Sequence, residues 1–183
     1  MGYNNREIEK KYVVTDPKNT FNKVAKILTD NFSDRFLKNC WDGGTSKDFY
    51  WKSPNARGAD FVRLRFMPDG SGQLTLKKAD RGTNVDRIEI DVEVKNPKQT
   101  YKFLSQLLGK PLGKIQKNYQ VTYLDDGGSN ISVYKVHGNP AVFIEIEARS
   151  LSYVNKIEKK LSGFIAIKQE RRSLYQVFFG GKK

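Results

Sequence analysis

The chain has 183 residues and a mass of 21.0 kDa, enough for one domain with a sizeable hydrophobic core and too short for two ordinary domains. Hydrophobic residues at 38% and charged residues at 29% exclude a disordered tail, and no stretch approaches the roughly 18 consecutive apolar residues that a membrane-spanning helix needs. The 33 lysines and arginines against 20 aspartates and glutamates give a net charge of +13, which predicts an anionic partner: nucleic acid, a membrane surface or polyphosphate.

Alternation of apolar and polar residues predicts that β-strands are the main secondary structure of the chain. Turn sequences rich in Gly, Asp and Pro separate several of the strands, which favours antiparallel hairpins. Weaker strand candidates lie at 35–41 and 48–51. The strong candidates are residues 6–14, 61–66, 73–77, 86–94, 115–124, 131–136 and 142–148.

Three helices are predicted between these strands, and two of them begin at a proline. Asp16 followed by Pro17 predicts an N-cap and a first helical turn, and Asn96 with Pro97 repeats the pattern. Ser150 opens the third helix. A short last helix is expected at about residues 171–179. Because no linker or repeat divides the chain, we expect a single domain over residues 1–179 and a frayed tail at 180–183.

The two faces of each strong strand differ, since side chains alternate across a strand. One face is apolar and needs the cover that amphipathic helices can supply. The other is charged and sorted by sign, with glutamates on the first and last strong strands and arginines and lysines mainly between them. This sorting favours a sheet that closes around a charged interior, while a plain solvated face stays the alternative.

The chain has one cysteine, Cys40, and one histidine, His137. An internal disulfide and a zinc site of thiolates and imidazoles are therefore excluded, and a lone histidine is more often structural than catalytic. Carboxylates, lysines and arginines remain as the groups that could do chemistry. The N-terminus lacks the apolar core of a signal peptide, so we expect a cytoplasmic protein.

The first strand carries the pattern Glu-x-Glu-x-Lys at Glu7, Glu9 and Lys11. Strand spacing puts these three charged side chains in a row on one face, about 7 Å apart. Hard divalent cations such as Mg²⁺ or Mn²⁺ prefer carboxylate oxygens, so the pattern fits a metal site. Alone it fits equally well a ladder of ion pairs between strands.

Four charged patterns occur along the chain in an order that resembles the CYTH proteins. This superfamily, also called the triphosphate tunnel metalloenzymes, includes class IV adenylyl cyclases and thiamine triphosphatases. The resemblance runs from about residue 5 to about residue 178. The patterns are Glu7-x-Glu9-x-Lys11, Arg63-x-Arg65 followed by Leu74-Thr75-Leu76-Lys77, Arg87-x-Glu89-x-Asp91, and Glu145-x-Glu147.

The resemblance implies an α+β protein, in which an antiparallel β-barrel of about eight strands closes into a tunnel with helices packed outside. Its charged lumen would bind a triphosphate together with Mg²⁺ or Mn²⁺. The implied metal ligands are Glu7, Glu9, Glu145 and Glu147. The implied triphosphate-binding cations are Arg63, Arg65, Lys77, Arg87 and Lys117. The implied catalytic groups are Lys11, Glu89 and Asp91.

Two positions depart from the common pattern of this superfamily. Tyr119 stands where an arginine is usual, and Tyr134 stands where many members carry an aspartate. Two phenols that hydrogen-bond in place of one cation and one carboxylate would be a compensated exchange. A shifted substrate is the other interpretation.

The resemblance predicts a metal-dependent triphosphatase that acts on inorganic tripolyphosphate or on a nucleoside or thiamine triphosphate. A class IV adenylyl cyclase, which converts ATP to cyclic AMP and pyrophosphate, and an RNA 5′-triphosphatase are the enzymatic alternatives. A basic module that binds RNA or polyphosphate without turnover is the non-enzymatic one. We expect a small-molecule triphosphate as the partner, with RNA less favoured, no membrane partner, and a homodimer left open.

Overall fold

A computed structural model describes residues 6–32, 42–53, 61–79, 86–124 and 128–180. These residues form nine strands and four α-helices, so the α+β class is confirmed, and the strand pairings are antiparallel. The helices are α1 (Phe21–Phe32), α2 (Pro97–Leu108), α3 (Leu151–Ser162) and α4 (Leu174–Phe179). The strands are β1 (Arg6–Val14), β2 (Asp42–Lys52), β3 (Phe61–Phe66), β4 (Gly72–Ala79), β5 (Asp86–Val94), β6 (Gly113–Tyr123), β7 (Asn130–Val136), β8 (Val142–Ala148) and β9 (Ile167–Gln169).

The chain divides into two compact units, and the strand β6 begins in the first and ends in the second. Both units pair antiparallel strands and cover one strand face with helices, as the alternating sequence pattern requires. Among the described residues the first unit is built mainly from 45–53, 61–79, 86–116 and 172–180, and the second from 7–32, 117–124 and 128–171.

In the first unit the strands lie in the order β5-β4-β3-β2. Their apolar face forms a core of Trp51, Leu64, Val94 and the α2 residue Leu104, each at most 9% exposed. The indole Nε1 of Trp51 donates a hydrogen bond of 2.9 Å to the carbonyl of Gly109, directly after α2. This bond satisfies the polar atom of a buried indole and ties the end of α2 to β2.

The C-terminal helix α4 also belongs to the first unit and packs through aromatic rings. Tyr175 stacks on Phe61 with ring centroids 5.2 Å apart, and Phe179 lies 5.6 Å from Tyr50. Gly113 is required here, because a Cβ at this position would overlap the Phe179 ring. A glycine at the start of β6 therefore lets α4 approach the strand closely.

In the second unit the strands lie in the order β6-β7-β8-β1-β9. The helices α1 and α3 cover their apolar face. Leu28 of α1, Leu161 of α3 and the strand residues Ile131, Ile144 and Ile146 all have 0% exposure in this core. This core is larger than the core that α2 covers in the first unit.

All seven strong strand predictions are confirmed, with ends that agree to within two residues. The weak candidate at 48–51 is the end of a longer strand, β2, and the short strand β9 was not predicted. The other weak candidate, 35–41, lies outside the described residues, as does Cys40.

The predicted helix caps are confirmed for α2 and α3. The side chain of Asn96 accepts a hydrogen bond from the backbone N–H of Gln99, and that of Ser150 accepts one from Tyr153. The last helix is shorter than predicted. It begins at Leu174, after Ser173, whose side chain and backbone exchange hydrogen bonds with Gln176 in a capping box.

The start of α1 was predicted wrongly. The helix begins at Phe21, four residues after Pro17. The side chain of Asp16 accepts a bond of 2.9 Å from the backbone N–H of Lys18, and its carbonyl accepts one of 3.0 Å from Asn19. Asp16 therefore forms a turn with the two or three residues that follow it and does not cap α1. Aspartate side chains can form either a local turn or a helix cap.

Three expectations on overall organisation stay predictions: closure of the strands into a tunnel, a single domain over residues 1–179, and a frayed tail at 180–183. Within the described ranges, no helix is long and apolar enough to cross a membrane.

The second-unit core predicts the effect of two matched leucine substitutions in α3. We expect Leu161→Ala to lower the free energy of unfolding by about 2–5 kcal/mol, because Leu161 has 0% exposure. Leu151→Ala, at a residue 46% exposed, should change it by about 0.5 kcal/mol or less. Urea denaturation of both variants measures the difference, and equal losses would contradict the assignment of this core.

Candidate active site

The charged face of the first unit lies opposite its hydrophobic core. Strand register places Asp48 of β2 beside Arg65 of β3, and Arg63 beside Thr75 of β4. The same register places Lys77 of β4 beside Glu89 of β5 and Thr75 beside Asp91. Residues from four distant parts of the sequence therefore meet on one face. We call Asp48, Arg63, Arg65, Thr75, Lys77, Glu89 and Asp91 the first-unit cluster.

Arg65 and Asp48 form a bidentate ion pair. Arg65 Nε lies 2.9 Å from Asp48 Oδ1, and Nη2 lies 3.0 Å from Oδ2. Asp48 has 0% exposure and also accepts a hydrogen bond from the Ser46 hydroxyl. A carboxylate so deeply buried needs the opposite charge that the guanidinium supplies. Nε and Nη2 of Arg65 are thus both engaged by the carboxylate of Asp48.

Arg63 and Lys77 share a single carboxylate, that of Glu89. Lys77 Nζ lies 2.7 Å from Glu89 Oε2, and Arg63 Nη2 lies 3.5 Å from Oε1. Arg63 Nη2 also donates a bond of 2.8 Å to the Thr75 hydroxyl. The Arg63 Nε is buried and has no hydrogen-bond partner in the described part of the chain. Arg63 is therefore held in place while it keeps unused donor capacity.

Two further predicted residues of this unit lie on β5. Asp91 is exposed and accepts a short hydrogen bond from the Thr75 hydroxyl. Thr75 in this way links Arg63 to Asp91. The backbone of Arg87 pairs with Ala79, and the side chain of Arg87 lies outside the described part of the structure.

The charged face of the second unit is organised around β1 and β8. Glu9 is the Cα partner of Glu147, and Lys11 is the partner of Glu145. Lys11, 5% exposed, places its Nζ 3.2 Å from Glu145 Oε1. Glu147 accepts a hydrogen bond of 3.1 Å from the Asn130 side chain. We call Glu9, Lys11, Lys117, Asn130, Tyr134, Phe143, Glu145 and Glu147 the second-unit cluster.

The neighbouring lysine of β1, Lys10, lies on the other face of the strand. Its Nζ pairs at 2.7 Å with Glu158 of α3. Tyr12, also on the helix side, has a pKa raised above its usual range by burial, and then by the nearby Glu158 carboxylate. Tyr12 therefore stays a neutral core residue, and of the two adjacent lysines only Lys11 belongs to the charged face.

Tyr134 connects three members of the second-unit cluster. Its hydroxyl donates a bond of 2.8 Å to Glu145 Oε1, the oxygen that also faces Lys11. Its ring stacks on Phe143 with centroids 5.4 Å apart and lies 4.8 Å from the Nζ of Lys117. Tyr134 is 1% exposed. One buried neutral side chain thus orders a carboxylate through its hydroxyl and a lysine through its ring.

Tyr119 and Tyr134, the two departures from the superfamily pattern, are Cα partners across β6 and β7. The exchange of a cation and a carboxylate for two phenols therefore falls on a single pair of facing positions. This geometry supports a compensated exchange, since loss of one charge of each sign at facing positions leaves the local net charge unaltered.

The second-unit cluster offers two adjoining carboxylates to a metal ion. Like charges directly opposite each other across a ladder are destabilising, and a hard divalent cation would neutralise Glu9 and Glu147 together. Glu145 is engaged by Lys11 and Tyr134. Within the described ranges, no group of three or more His, Cys, Asp or Glu residues is placed to hold a metal. The side chain of Glu7 lies outside these ranges, so the predicted four-glutamate ligand set stays a prediction.

Sequence patterns missed Asp48, the most deeply buried carboxylate of the first-unit cluster. Its only local signal is an aspartate inside a candidate strand, and its partner Arg65 follows 17 residues later. His137 is exposed, with its Nε2 3.1 Å from Asn118 Oδ1, which agrees with a structural role.

Comparison with known proteins supports the fold. No family model matches the sequence, and no curated protein matches it. The PH1819 protein from Pyrococcus horikoshii superimposes with a TM-score of 0.69 at 22% identity, covering 96% of this chain and 99% of that one. HpAC1 from Hippeastrum, described as having a dominant triphosphatase activity, gives 0.66 at 14% identity, covering 97% of each chain.

A candidate adenylate cyclase from Vibrio parahaemolyticus gives a TM-score of 0.63 at 14% identity, covering 94% of this chain and 97% of that one. At these identities the likeness concerns the fold. The resemblance inferred from the charged motifs is confirmed at the level of the fold, which this chain shares with a protein described as a triphosphatase and with a candidate adenylate cyclase.

Proposed function

We propose that this protein is a divalent-metal-dependent triphosphatase that hydrolyses a small-molecule triphosphate. The observation that carries the proposal is the anchoring of Arg63 and Lys77 on one shared carboxylate, Glu89. The triphosphatase activity described for HpAC1, a protein with the same fold, supports it.

The first-unit cluster has the chemistry to bind a polyphosphate chain. Arginine presents several N–H donors in a planar fork that matches phosphate oxygens, and lysine supplies a compact charge. Glu89 and Thr75 fix the directions of these cations, so little side-chain entropy is lost when an anion binds. In this proposal Glu89 and Asp91 orient the cations, and Arg63, Arg65, Lys77 and Arg87 contact the phosphates.

The second-unit cluster has the chemistry to hold a cation. Glu9 and Glu147, joined by Glu7, would bind Mg²⁺ or Mn²⁺ through carboxylate oxygens. Such an ion neutralises phosphate charge and makes bound water more acidic. Glu145, although it belongs to the predicted ligand set, has the contacts of a counterion that holds Lys11 in position. Lys11 and Lys117 would then face phosphate oxygens.

A substrate panel tests the proposal. The purified protein is incubated with tripolyphosphate, ATP, thiamine triphosphate or 5′-triphosphorylated RNA, each with Mg²⁺ or Mn²⁺. Phosphate, pyrophosphate and cyclic AMP are measured. We expect phosphate release from a small triphosphate that stops when the metal is chelated. Pyrophosphate and cyclic AMP from ATP would favour the cyclase alternative instead.

The same assay tests the metal site through Glu9→Gln. We expect turnover to fall by about 100-fold or more, since even an outer-shell partner can cost a metal site that much. The melting curve should stay near that of the wild type, because the change removes charge and little volume. Glu158→Gln is the matched control, since Glu158 pairs with Lys10 on the helix side of β1. Wild-type turnover in a folded Glu9→Gln protein would refute the metal site.

Arg63 and Arg65 should respond differently to truncation. Arg63→Ala is expected to weaken tripolyphosphate binding by about 1.5–3 kcal/mol, the value of a charge-assisted hydrogen bond. Arg65→Ala should in addition lower the free energy of unfolding by about 3–5 kcal/mol, because Asp48 loses its buried ion-pair partner. Calorimetry and urea denaturation measure the two effects. Unaltered tripolyphosphate affinity in Arg63→Ala would count against the proposed phosphate site.

Tyr134→Phe isolates the role of one hydroxyl. The phenylalanine keeps the ring contacts to Lys117 and Phe143 and removes the hydroxyl that bonds to Glu145. We expect kcat to fall about tenfold with a smaller change in KM, since hydrogen bonds to charged groups contribute about 1.5–3 kcal/mol. Tyr123→Phe on β6, at a residue 39% exposed, is the control. A kcat equal to that of the control would show that Glu145 and Lys11 are positioned without Tyr134.

A further inference from the structure

The segment that contains α2 is basic throughout. Residues 94–124 contain no aspartate or glutamate, although the chain has 20 of them. Five lysines of this segment, all in the first unit, are exposed. They are Lys95, Lys98, Lys102, Lys110 and Lys114.

Large apolar side chains protrude among these lysines. Phe103 is 65% exposed and Leu107, one helical turn later, is 66% exposed. Leu112, shortly after the helix, is 44% exposed. The inner side of α2 is occupied, because Leu104 and Tyr101 pack into the first-unit core. Phe103 and Leu107 therefore face outward, and neither belongs to the core that the described residues form on the inner side of α2.

We propose that this surface, called the α2 patch and formed by the five lysines with Phe103, Leu107 and Leu112, docks on an anionic phospholipid membrane. Charge complementarity is the argument for the partner, because exposed lysines attract anionic headgroups. Protruding Phe and Leu side chains can enter the boundary between headgroups and acyl chains. Helices that bind at the membrane interface have the same composition, with Phe and Leu side chains close to lysines and arginines.

Other occupants fit these observations less well. A second copy of the chain would bring the same five lysines against this face, and like charges oppose such an interface. A nucleic acid would bind the lysines through its phosphates but gives Leu107 and Leu112 no apolar environment. A protein partner would need cavities shaped for Phe103 and Leu107, whereas a lipid surface deforms around protruding side chains.

The proposal replaces the sequence expectation that the protein has no membrane partner. That expectation followed from the lack of a spanning segment, and docking at the surface requires none. Binding through the α2 patch also does not depend on the proposed triphosphatase activity.

Vesicle co-sedimentation of the full chain tests the proposal. Vesicles of phosphatidylcholine alone are compared with vesicles that contain about 30% phosphatidylserine, an anionic lipid. We expect binding to the anionic vesicles only, falling steeply as salt rises from about 0.1 M to about 0.5 M.

Two variants with matched controls locate the surface. Lys98→Gln/Lys102→Gln/Lys110→Gln should weaken binding about 100-fold, since each lysine near an anionic surface contributes about fivefold. Phe103→Ser/Leu107→Ser should weaken it about 100-fold, since burial of each large apolar side chain contributes about tenfold or more. The controls are Lys23→Gln/Lys26→Gln/Lys135→Gln and Leu151→Ser/Phe164→Ser, at residues that are also exposed. Melting curves and tripolyphosphate turnover should match the wild type in the α2 variants.

The proposal is overturned if the protein ignores phosphatidylserine vesicles or binds neutral vesicles equally well. It is overturned too if the control variants lose as much binding as the α2 variants. Single-stranded RNA and an acidic peptide are tested alongside, and α2-dependent binding to either without vesicle binding would assign the surface to that partner.

Discussion

Charged side chains that are buried on a strand face need an opposite charge on a neighbouring strand, because an unpaired charge out of water costs several kcal/mol. Asp48 meets this requirement through Arg65, and Glu89 through Arg63 and Lys77. The pairs exist only in one strand register, since a slip of one residue would turn every side chain to the opposite face. The register that forms the charged cluster is therefore the register that buries the apolar face under α2.

Strands were predictable from sequence because each of them carries its own evidence. An alternating strand such as β5 shows its two faces within nine residues, and its ends followed from the same pattern. Helix caps are equally local, and Asn96 and Ser150 act where their spacing predicted. The four charged motifs, read in chain order, carried the resemblance whose fold the similar structures share.

The misses share one cause, which is that periodicity describes a repeating pattern along the chain and not the pairing of strands or the competition between individual hydrogen bonds. The first half of β2, with glycines at 43 and 44, has no apolar alternation, and the register with β3 covers the second half of the strand, from Lys47 to Lys52. The three-residue β9 is too short to show a period. Asp48 gains its importance from Arg65 on another strand, and Asp16 chooses between a turn and a cap by competition between two local bonds. Periodicity alone decides none of these.

The contacts of Tyr134 explain how the second-unit cluster is ordered with a tyrosine at a position where the resemblance implies an aspartate. A carboxylate at this position could only accept hydrogen bonds when ionised, whereas a phenol donates one. Tyr134 donates to the Glu145 oxygen that also faces Lys11, so Glu145 meets a hydrogen-bond donor at this position instead of a second negative charge. The facing Tyr119 then needs no positive charge to balance its partner. Neighbouring positions of this kind are coupled, so the compensated exchange predicted from the sequence treats the two facing tyrosines as one change.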